Sequence, residues 1–152
     1  MTAVVPTPSE INKLYMLIRA KRPGWFMQAT GLSPDDYEAF KAWIWAEVAY
    51  WFTDGCHVVL VSQRNHVVEA HPLFLGRVHL GYLNLVLLCM ASMGVRRVEV
   101  PLMLPTGHTI RTTLHRLGFL LEGTMKDKER QWDPSTNTFH FTDVELWAKI
   151  LL

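Results

Sequence analysis

The sequence predicts one α/β domain, spanning residues 1–152, in which a mixed β-sheet is flanked by helices. Three observations support this fold class. The chain of 152 residues has the length of an ordinary single domain. Its hydrophobic fraction of 49% is enough for a buried core and argues against disorder. Its apolar residues also change spacing along the chain, from the three- and four-residue steps typical of helices to the runs typical of strands.

Residues 1–54 form the predicted helical part of the domain. A first helix begins with Thr7 as its N-cap and Glu10 completing a capping box, and it ends at Pro23-Gly24. A second helix begins within residues 33–36, where two acids suit a helix N-terminus. An apolar stripe at helical spacing predicts its buried face, through Tyr37, Phe40, Ile44, Val48 and Trp51.

The aromatic content is high for a chain of this size, with six Trp and seven Phe. Trp43 and Trp45 lie off the apolar stripe of the second helix, which predicts a second contact surface there. One form of that surface is a homodimer built through the Trp-rich helix.

Residues 55–152 contain the predicted sheet. Its strands are expected at residues 56–61, 66–71, 96–104, 119–126 and 139–148. The last two should pair antiparallel across a turn at residues 133–137. Helices are expected at residues 80–93, ending at Gly94, and at about residues 109–117. Pro101 lies inside the third strand, which predicts an edge position, a bulge or an interrupted ladder there.

Charge and composition exclude several classes of function. Fifteen Lys and Arg residues against 14 Asp and Glu give a net charge of +1, which argues against a nucleic-acid partner. The longest apolar run, residues 80–95, is broken by Asn84 and is shorter than the roughly 20 residues of a membrane span. The N-terminus shows no signal-peptide pattern. Cys56 and Cys89 lie in apolar runs, which is typical of small buried hydrophobic residues and not of a disulfide framework. We therefore expect a reduced, cytoplasmic compartment.

Motifs of several catalytic classes are missing from the sequence. The seven histidines show no metal-ligand spacing, so no metal site is expected. Neither a nucleophile elbow of the G-x-S-x-G type nor a phosphate-binding loop of the Walker type is found. Hydrolase and nucleoside-triphosphatase activities therefore have no support.

The C-terminal two thirds of the chain carry a specific order of segments. Residues 117–123, LGFLLEG, form a helix end, a Gly-Phe pair and a strand that ends in Glu-Gly. Residues 142–147, TDVELW, form a strand in which an Asp precedes an apolar run. Upstream, His71-Pro72 is followed by a helix that ends at Gly94 and by a further strand. Over about residues 55–152, this order resembles the GNAT superfamily of N-acetyltransferases.

The resemblance implies a binding site for acetyl-CoA or CoA between two strands that splay apart, here residues 66–71 and 95–104. In that family the pantetheine arm hydrogen-bonds to an exposed strand edge, and the pyrophosphate lies on backbone N–H groups at a helix N-terminus. The corresponding turn here is Leu75, Gly76, Arg77, Val78, His79 and Leu80. The family has Arg or Gln and two glycines at the positions of Leu75, Val78 and Leu80, which predicts that side chains obstruct the turn.

Glu69 lies on the strand where similar enzymes often carry a catalytic Glu. Strand alternation places His71 on the same face, so the two could remove a proton from an amine directly or through a water. The alternative is that both are solvated structural residues.

A short helix carries a third candidate. Many family members use a Tyr to protonate the leaving thiolate, and its position here is Leu114. His115, next to it, is the candidate replacement acid. It shares one helix face with His108 and Arg111, and that face is either a solvated surface or a site for a CoA phosphate.

Two functions therefore remain open. The first is an acetyl-CoA-dependent N-acetyltransferase that acts on an amine of a small molecule or protein. The second is a catalytically inactive GNAT-fold module that binds and modulates a partner protein. A phage protein that acts on a host protein in the host-cell cytoplasm, or a virion component, would be of the second kind.

Overall fold

The computed structural model of the chain describes residues 1–104, 106–133 and 135–152. Its helices are α1 (Pro8–Lys21), a π-helical turn (Phe26–Thr30), α2 (Tyr37–Glu47), α3 (Leu80–Ser92) and α4 (His108–Arg116). Its strands are β1 (Tyr50–Thr53), β2 (His57–Arg64), β3 (Val67–Phe74), β4 (Arg97–Met103), β5 (Leu120–Asp133) and β6 (Thr138–Ile150).

The six strands form one mixed sheet in the order β1-β2-β3-β4-β6-β5. Among the described strands β3 and β4 are the one parallel pair, and the other neighbours are antiparallel. This arrangement confirms the predicted fold class. The β5–β6 pair is antiparallel as expected, although Pro134 of the predicted connecting turn lies outside the described residues.

A hydrophobic core lies on each face of the sheet. On one face α1 and α2 pack against the β1–β3 half, around the fully buried Phe40, Ile44 and Leu60. On the other face α3 and α4 cover β3 and β4, around the buried Val86 and Val98. Because α3 and α4 cover the whole length of β3 and β4 on that face, these strands are firm supports for groups at their edges.

The first helix begins and ends as predicted, with Thr7 Oγ1 accepting a bond of 3.1 Å from Glu10 N–H. The second helix is shorter than the apolar stripe suggested. Its N-cap is Asp36, and it ends at Glu47, because Val48 adopts an extended backbone with ψ of 121°. Trp51 was therefore wrongly assigned to the helix: it lies in β1, opposite Leu60, and is 1% exposed.

The strand β1 was missed because its four residues, YWFT, continue the apolar spacing of the preceding helix. It places a strand inside residues 1–54, the part predicted to be helical. The following strands are also longer than expected. Residues 62–65, which separate the first two predicted strands, lie mostly in β2, and the chain reverses at Asn65, whose φ is +58°.

The tryptophans that the stripe left unassigned have different environments. Trp43 packs against the core beneath α2, with its ring 5.9 Å from that of Trp25. Trp45 is 52% exposed. The contact surface predicted for this pair is thus formed by Trp43 within the same chain, and a homodimer through Trp45 stays a prediction.

Cys56 and Cys89 are free thiols, both half-buried rather than fully buried. Within residues 1–104, 106–133 and 135–152, no group of three metal-ligating side chains is found. In the same ranges, no helix is both long and apolar enough to cross a membrane.

Candidate functional site

The two parallel strands at the centre of the sheet separate part of the way along. β3 and β4 pair over Val67↔Arg97, Val68↔Val98 and Glu69↔Glu99. Beyond that pair β3 continues to Phe74 and β4 to Met103, and no further pairing joins them in the described part of the chain. A gap therefore opens between the strands beyond Glu69, within the two segments, residues 66–71 and 95–104, for which the resemblance implied a splay.

The hydrogen-bonding phase of each strand shows which groups face the gap. Leu104 N–H donates to the Asp143 carbonyl at 2.9 Å. The backbone N–H and carbonyl groups of even-numbered β4 residues therefore bond to β6, and those of odd-numbered residues are directed towards β3. Leu75 N–H donates to the Cys56 carbonyl at 2.7 Å, so odd-numbered residues of β3 direct their backbone groups to β2. The backbone groups of even-numbered β3 residues are therefore directed towards β4. The backbone nitrogens of residues 72 and 101 consequently both point into the gap.

Both of those residues are prolines, which have no N–H to donate. A continued parallel ladder would need the N–H of residue 101 for the Ala70 carbonyl and the N–H of residue 72 for the carbonyl of residue 101. Pro72 and Pro101 remove these two donors, so the strands cannot pair there. The interrupted ladder predicted at Pro101 is confirmed, and Pro72 is its counterpart on β3.

The side of the gap that faces α3 and α4 is filled by side chains. Ala70, Val98 and Val100 pack there with the helices, and they leave an apolar cavity of about 40 Å³. Leu114 of α4 is 3% exposed and lines this cavity. The position at which the family often has a Tyr is thus part of an apolar core.

The N-terminus of α3 lies just after the gap strand β3 and has no side-chain cap among the described residues. Its N-cap is His79, and its first turn contains no acid. In contrast, α1 is capped by Thr7 and α2 by Asp36, each with an acid in the first turn. The first N–H groups of α3 therefore lack both a capping oxygen and a neutralising charge, which suits an anion.

The turn that precedes α3 is not obstructed in the way predicted. Leu75 packs into the core beneath α1 and α2, while Val78 and Leu80 pack into the core beneath α3. Gly76 and Arg77 are exposed. Because the larger apolar side chains pack against the two cores, they anchor the turn and leave its outer surface to backbone and to the exposed Arg77 and His79.

Glu69 and His71 lie on the sheet face opposite Ala70, on the same face as each other, as strand alternation predicted. His71 Nε2 is 2.9 Å from Glu69 Oε1, and the two side chains are 41% and 50% exposed. The hydrogen bond from His71 lowers the pKa of Glu69, against the opposing effect of burial. The carboxylate is thus ionised at neutral pH and holds the imidazole in place, at the point where the strands separate.

A second polar cluster lies beside this pair and was missed by the sequence analysis. Arg97 donates from Nε to Glu99 Oε1 at 2.8 Å and from Nη1 to Glu122 Oε1 at 3.0 Å. Glu99 is the register partner of Glu69. The Glu122 bond to Arg97 lowers the pKa of Glu122. The only signal in the sequence was Glu122 itself, which belongs to the LGFLLEG segment.

His115 is not among the described residues that line the apolar cavity beneath the gap. It is exposed in the last turn of α4, whereas the adjacent Leu114 points into the core. Arg111, on the same helix, forms two bonds to Glu145, of 3.0 and 2.9 Å. The face predicted to bind a CoA phosphate thus has its arginine engaged in a structural ion pair.

Comparison with known proteins places this geometry in a known fold. No protein-family profile and no curated protein matches the chain. Solved structures do match over nearly its whole length. A GNAT-family acetyltransferase from Streptococcus pneumoniae is 15% identical, with 99% of each chain covered and a TM-score of 0.64.

Two further matches have described substrates or ligands. An acetyltransferase from Salmonella typhimurium that modifies the N-terminal serine of ribosomal protein L7/L12 is 17% identical, with 99% of this chain and 94% of that chain covered and a TM-score of 0.68. The microcin C7 self-immunity acetyltransferase MccE, in complex with acetyl-CoA and AMP, is 15% identical, with 99% and 92% covered and a TM-score of 0.66. The chain therefore has the fold of the GNAT acetyltransferases.

Proposed function

We propose that this protein is an acetyl-CoA-dependent N-acetyltransferase that transfers an acetyl group to an amine of a small molecule or a protein. One observation carries the proposal: the gap between β3 and β4 opens at Glu69 and His71 and leads towards the uncapped N-terminus of α3. A proton acceptor and an anion-binding helix end thus lie at the two ends of one exposed strand edge.

The backbone of β4 fits the pantetheine arm of the coenzyme. Beyond Glu99, the odd-numbered residues of β4 direct their backbone groups into the gap. These groups are the carbonyl of Pro101 and both the N–H and the carbonyl of Met103. An exposed strand edge with alternating donors and acceptors can bind an amide-containing chain as an added strand.

The turn before α3 fits the diphosphate. The first N–H groups of α3 carry the partial positive charge of the helix dipole, and the exposed Arg77 adds a full charge beside them. The coenzyme, when bound, supplies an acetyl group activated as a thioester. The two free cysteines fit a reducing compartment, so we place the protein in the cytoplasm.

His71 is the residue that we assign as the general base. Its Nε2 faces Glu69, so Nδ1 is the ring nitrogen left to accept a proton from the acceptor's ammonium group, and the free amine so formed attacks the thioester carbonyl and displaces the CoA thiolate. Glu69, whose pKa is lowered, is a weak base by itself and serves to orient the ring and to stabilise it when protonated. The exposed His115 has no part in this mechanism.

The alternative function, a binding module without catalysis, is favoured by one observation. Leu114 and the apolar cavity of about 40 Å³ place no acid beneath the gap within the described residues, so nothing there protonates a leaving thiolate. In the proposed enzyme that proton comes from His71 or from water, which predicts slow turnover rather than none.

A turnover assay separates the two functions. Purified protein is incubated with acetyl-CoA and a panel of primary amines and amino-terminal peptides, and the released CoA thiol is measured with a thiol reagent. We expect amine-dependent thiol release that is lost in His71→Ala and retained in His115→Ala. Thiol release by the wild type that does not exceed a blank without protein would favour the binding module.

A further inference from the structure

His57, the first residue of β2, is 0% exposed although it carries a titratable ring. It takes no part in the proposed chemistry. The ring stacks on Tyr82 of α3 at 5.2 Å and meets the edge of Phe74 at 5.9 Å. A buried imidazole is costly unless both of its nitrogens have partners.

Both nitrogens of His57 are partnered. Nδ1 lies 3.1 and 3.0 Å from the two carboxylate oxygens of Asp54, and Nε2 accepts the backbone N–H of His79 at 3.0 Å. An acceptor at Nε2 and a carboxylate at Nδ1 together define a neutral ring with its proton on Nδ1. The contacts thus form a chain from Asp54 through His57 to His79.

Asp54 is fixed at the other end of this chain. Its Oδ1 accepts the backbone N–H groups of Cys56 at 2.9 Å and of His57 at 2.7 Å. Burial alone would raise the pKa of Asp54, but these bonds and the His57 ring lower it overall. The carboxylate is therefore ionised, and it holds the ring of His57 from the tight turn between β1 and β2.

The far end of the chain is the N-cap of α3. His79 makes no side-chain capping bond, and its N–H is held by His57. The N–H groups of Leu80, Gly81 and Tyr82 follow directly and are those assigned above to the diphosphate. Tyr82 also stacks on the His57 ring, so two contacts fix the position of this first turn.

We propose that His57, held by Asp54, is a positioning residue for the diphosphate of the coenzyme: it fixes the backbone of His79 and, through it, the first N–H groups of α3. This inference rests on the proposed function. A helix end that is held in one place before binding loses less conformational entropy when the ligand binds. His57 would therefore raise the affinity for the coenzyme without contacting it. Preorganised donors of this kind need firm supporting contacts.

Two substitutions separate positioning from a general structural role. In His57→Gln, the amide oxygen lies near the place of Nε2 and can accept the His79 N–H. In His57→Asn, the shorter side chain can still donate to Asp54 but cannot reach His79. Both variants lose the aromatic ring, so both should lose similar thermal stability, which circular dichroism measures.

We expect the two variants to differ in their affinity for CoA. Calorimetry should show Kd raised about tenfold in His57→Asn, the effect of one hydrogen bond, and raised no more than about threefold in His57→Gln. Pantetheine, which has no diphosphate, should bind the wild type and both variants equally. Equal losses of CoA affinity in the two variants would overturn the proposal.

A measurement without coenzyme distinguishes this proposal from the proposed function. In the free protein, hydrogen exchange of the His79 amide should be faster in His57→Asn than in His57→Gln, and ¹⁵N spectra should show the wild-type ring protonated at Nδ1. Equal exchange, or a proton on Nε2, would overturn the positioning role. Slow exchange as expected, with no CoA binding by the wild type, would instead contradict the proposed function and the diphosphate as ligand.

Discussion

Pro72 of β3 and Pro101 of β4 both direct a backbone nitrogen without hydrogen into the gap between their strands. Each proline removes one of the two donors that would continue the parallel ladder beyond Glu69↔Glu99. The gap is thus built into the covalent structure of the two strands, and no bound ligand is needed to hold it open.

Restoring both donors should close the gap. In the double variant Pro72→Ala, Pro101→Ala, we expect the parallel pairing to extend past Glu69, so that the new amides at positions 72 and 101 become protected from hydrogen exchange. The affinity for CoA should fall, because the strand edge is then occupied. The single variant Pro72→Ala is the matched control, since Pro101 still lacks the N–H that would make the first bond beyond Glu99, to the Ala70 carbonyl. An unprotected amide at position 101 in the double variant would show that packing, and not the prolines, separates the strands.

The pairing of Glu69 with His71 predicts that substituting the base and substituting its hydrogen-bonding partner have different effects on kcat. Loss of the base in His71→Ala should lower kcat about 100-fold, whereas Glu69→Gln, which keeps a hydrogen-bonding partner for the ring, should lower it less. Both variants should bind CoA as the wild type does, because neither residue lies in the turn before α3. Steady-state kinetics together with calorimetry test this. A larger loss in Glu69→Gln than in His71→Ala would make Glu69 the base.

The environments of Leu114 and His115 predict opposite results for neighbouring substitutions. Leu114→Ala should lower the free energy of unfolding by about 2–5 kcal/mol, because it enlarges a cavity in the core beneath the gap. His115→Ala should change it by less than about 0.5 kcal/mol and leave kcat unchanged, because the side chain is exposed. Urea unfolding and turnover measure both. A large loss of kcat in His115→Ala would restore the acid role predicted from the sequence.

The ion pair between Arg111 and Glu145 should stabilise the contact between α4 and β6. Glu145 is only 12% exposed, and burial would raise its pKa, but the bonds from Arg111 and Trp147 lower it overall. Arg111→Ala leaves this carboxylate without its main partner, so we expect a loss of about 1.5–3 kcal/mol. Arg116→Ala, exposed on the same helix, is the control. Equal urea midpoints for the two variants would contradict the structural role of this pair.

The lowered pKa of Asp54 predicts a dependence of stability on pH. A carboxyl group whose pKa is lower in the folded than in the unfolded protein stabilises the fold above its ordinary pKa of 3.8. That contribution is lost as the pH falls through the folded pKa. As the pH is lowered from 5 to well below 3.8, the wild type should therefore lose more stability than Asp54→Asn, as measured by thermal unfolding. Parallel curves for the two proteins would show that Asp54 has the same pKa in both states.

Much of the fold could be predicted from local patterns. The helix α3 and the strand β4 were expected to within two residues, because turn residues delimit them. The strand β1 was not expected, because four apolar residues after a helix carry no period of their own. Trp51 was misassigned for the same reason.

The candidate site could also be predicted only in part from the sequence. Glu69 and His71 could be placed on one face because alternation along a strand is a local property. The Arg97–Glu122 pair and the chain from Asp54 to His79 could not be predicted, since each joins segments that are distant in sequence. The inward orientation of Leu75, Val78 and Leu80 also depends on the cores beneath them, which the sequence of the turn does not show.

Calorimetric titration of the purified protein with CoA tests the coenzyme site most directly. We predict one molecule bound per chain, with a Kd in the micromolar range, and weaker binding of pantetheine, which cannot reach the N-terminus of α3 with a diphosphate. The absence of binding at millimolar CoA would contradict the proposed acetyltransferase and leave the gap between β3 and β4 without this ligand.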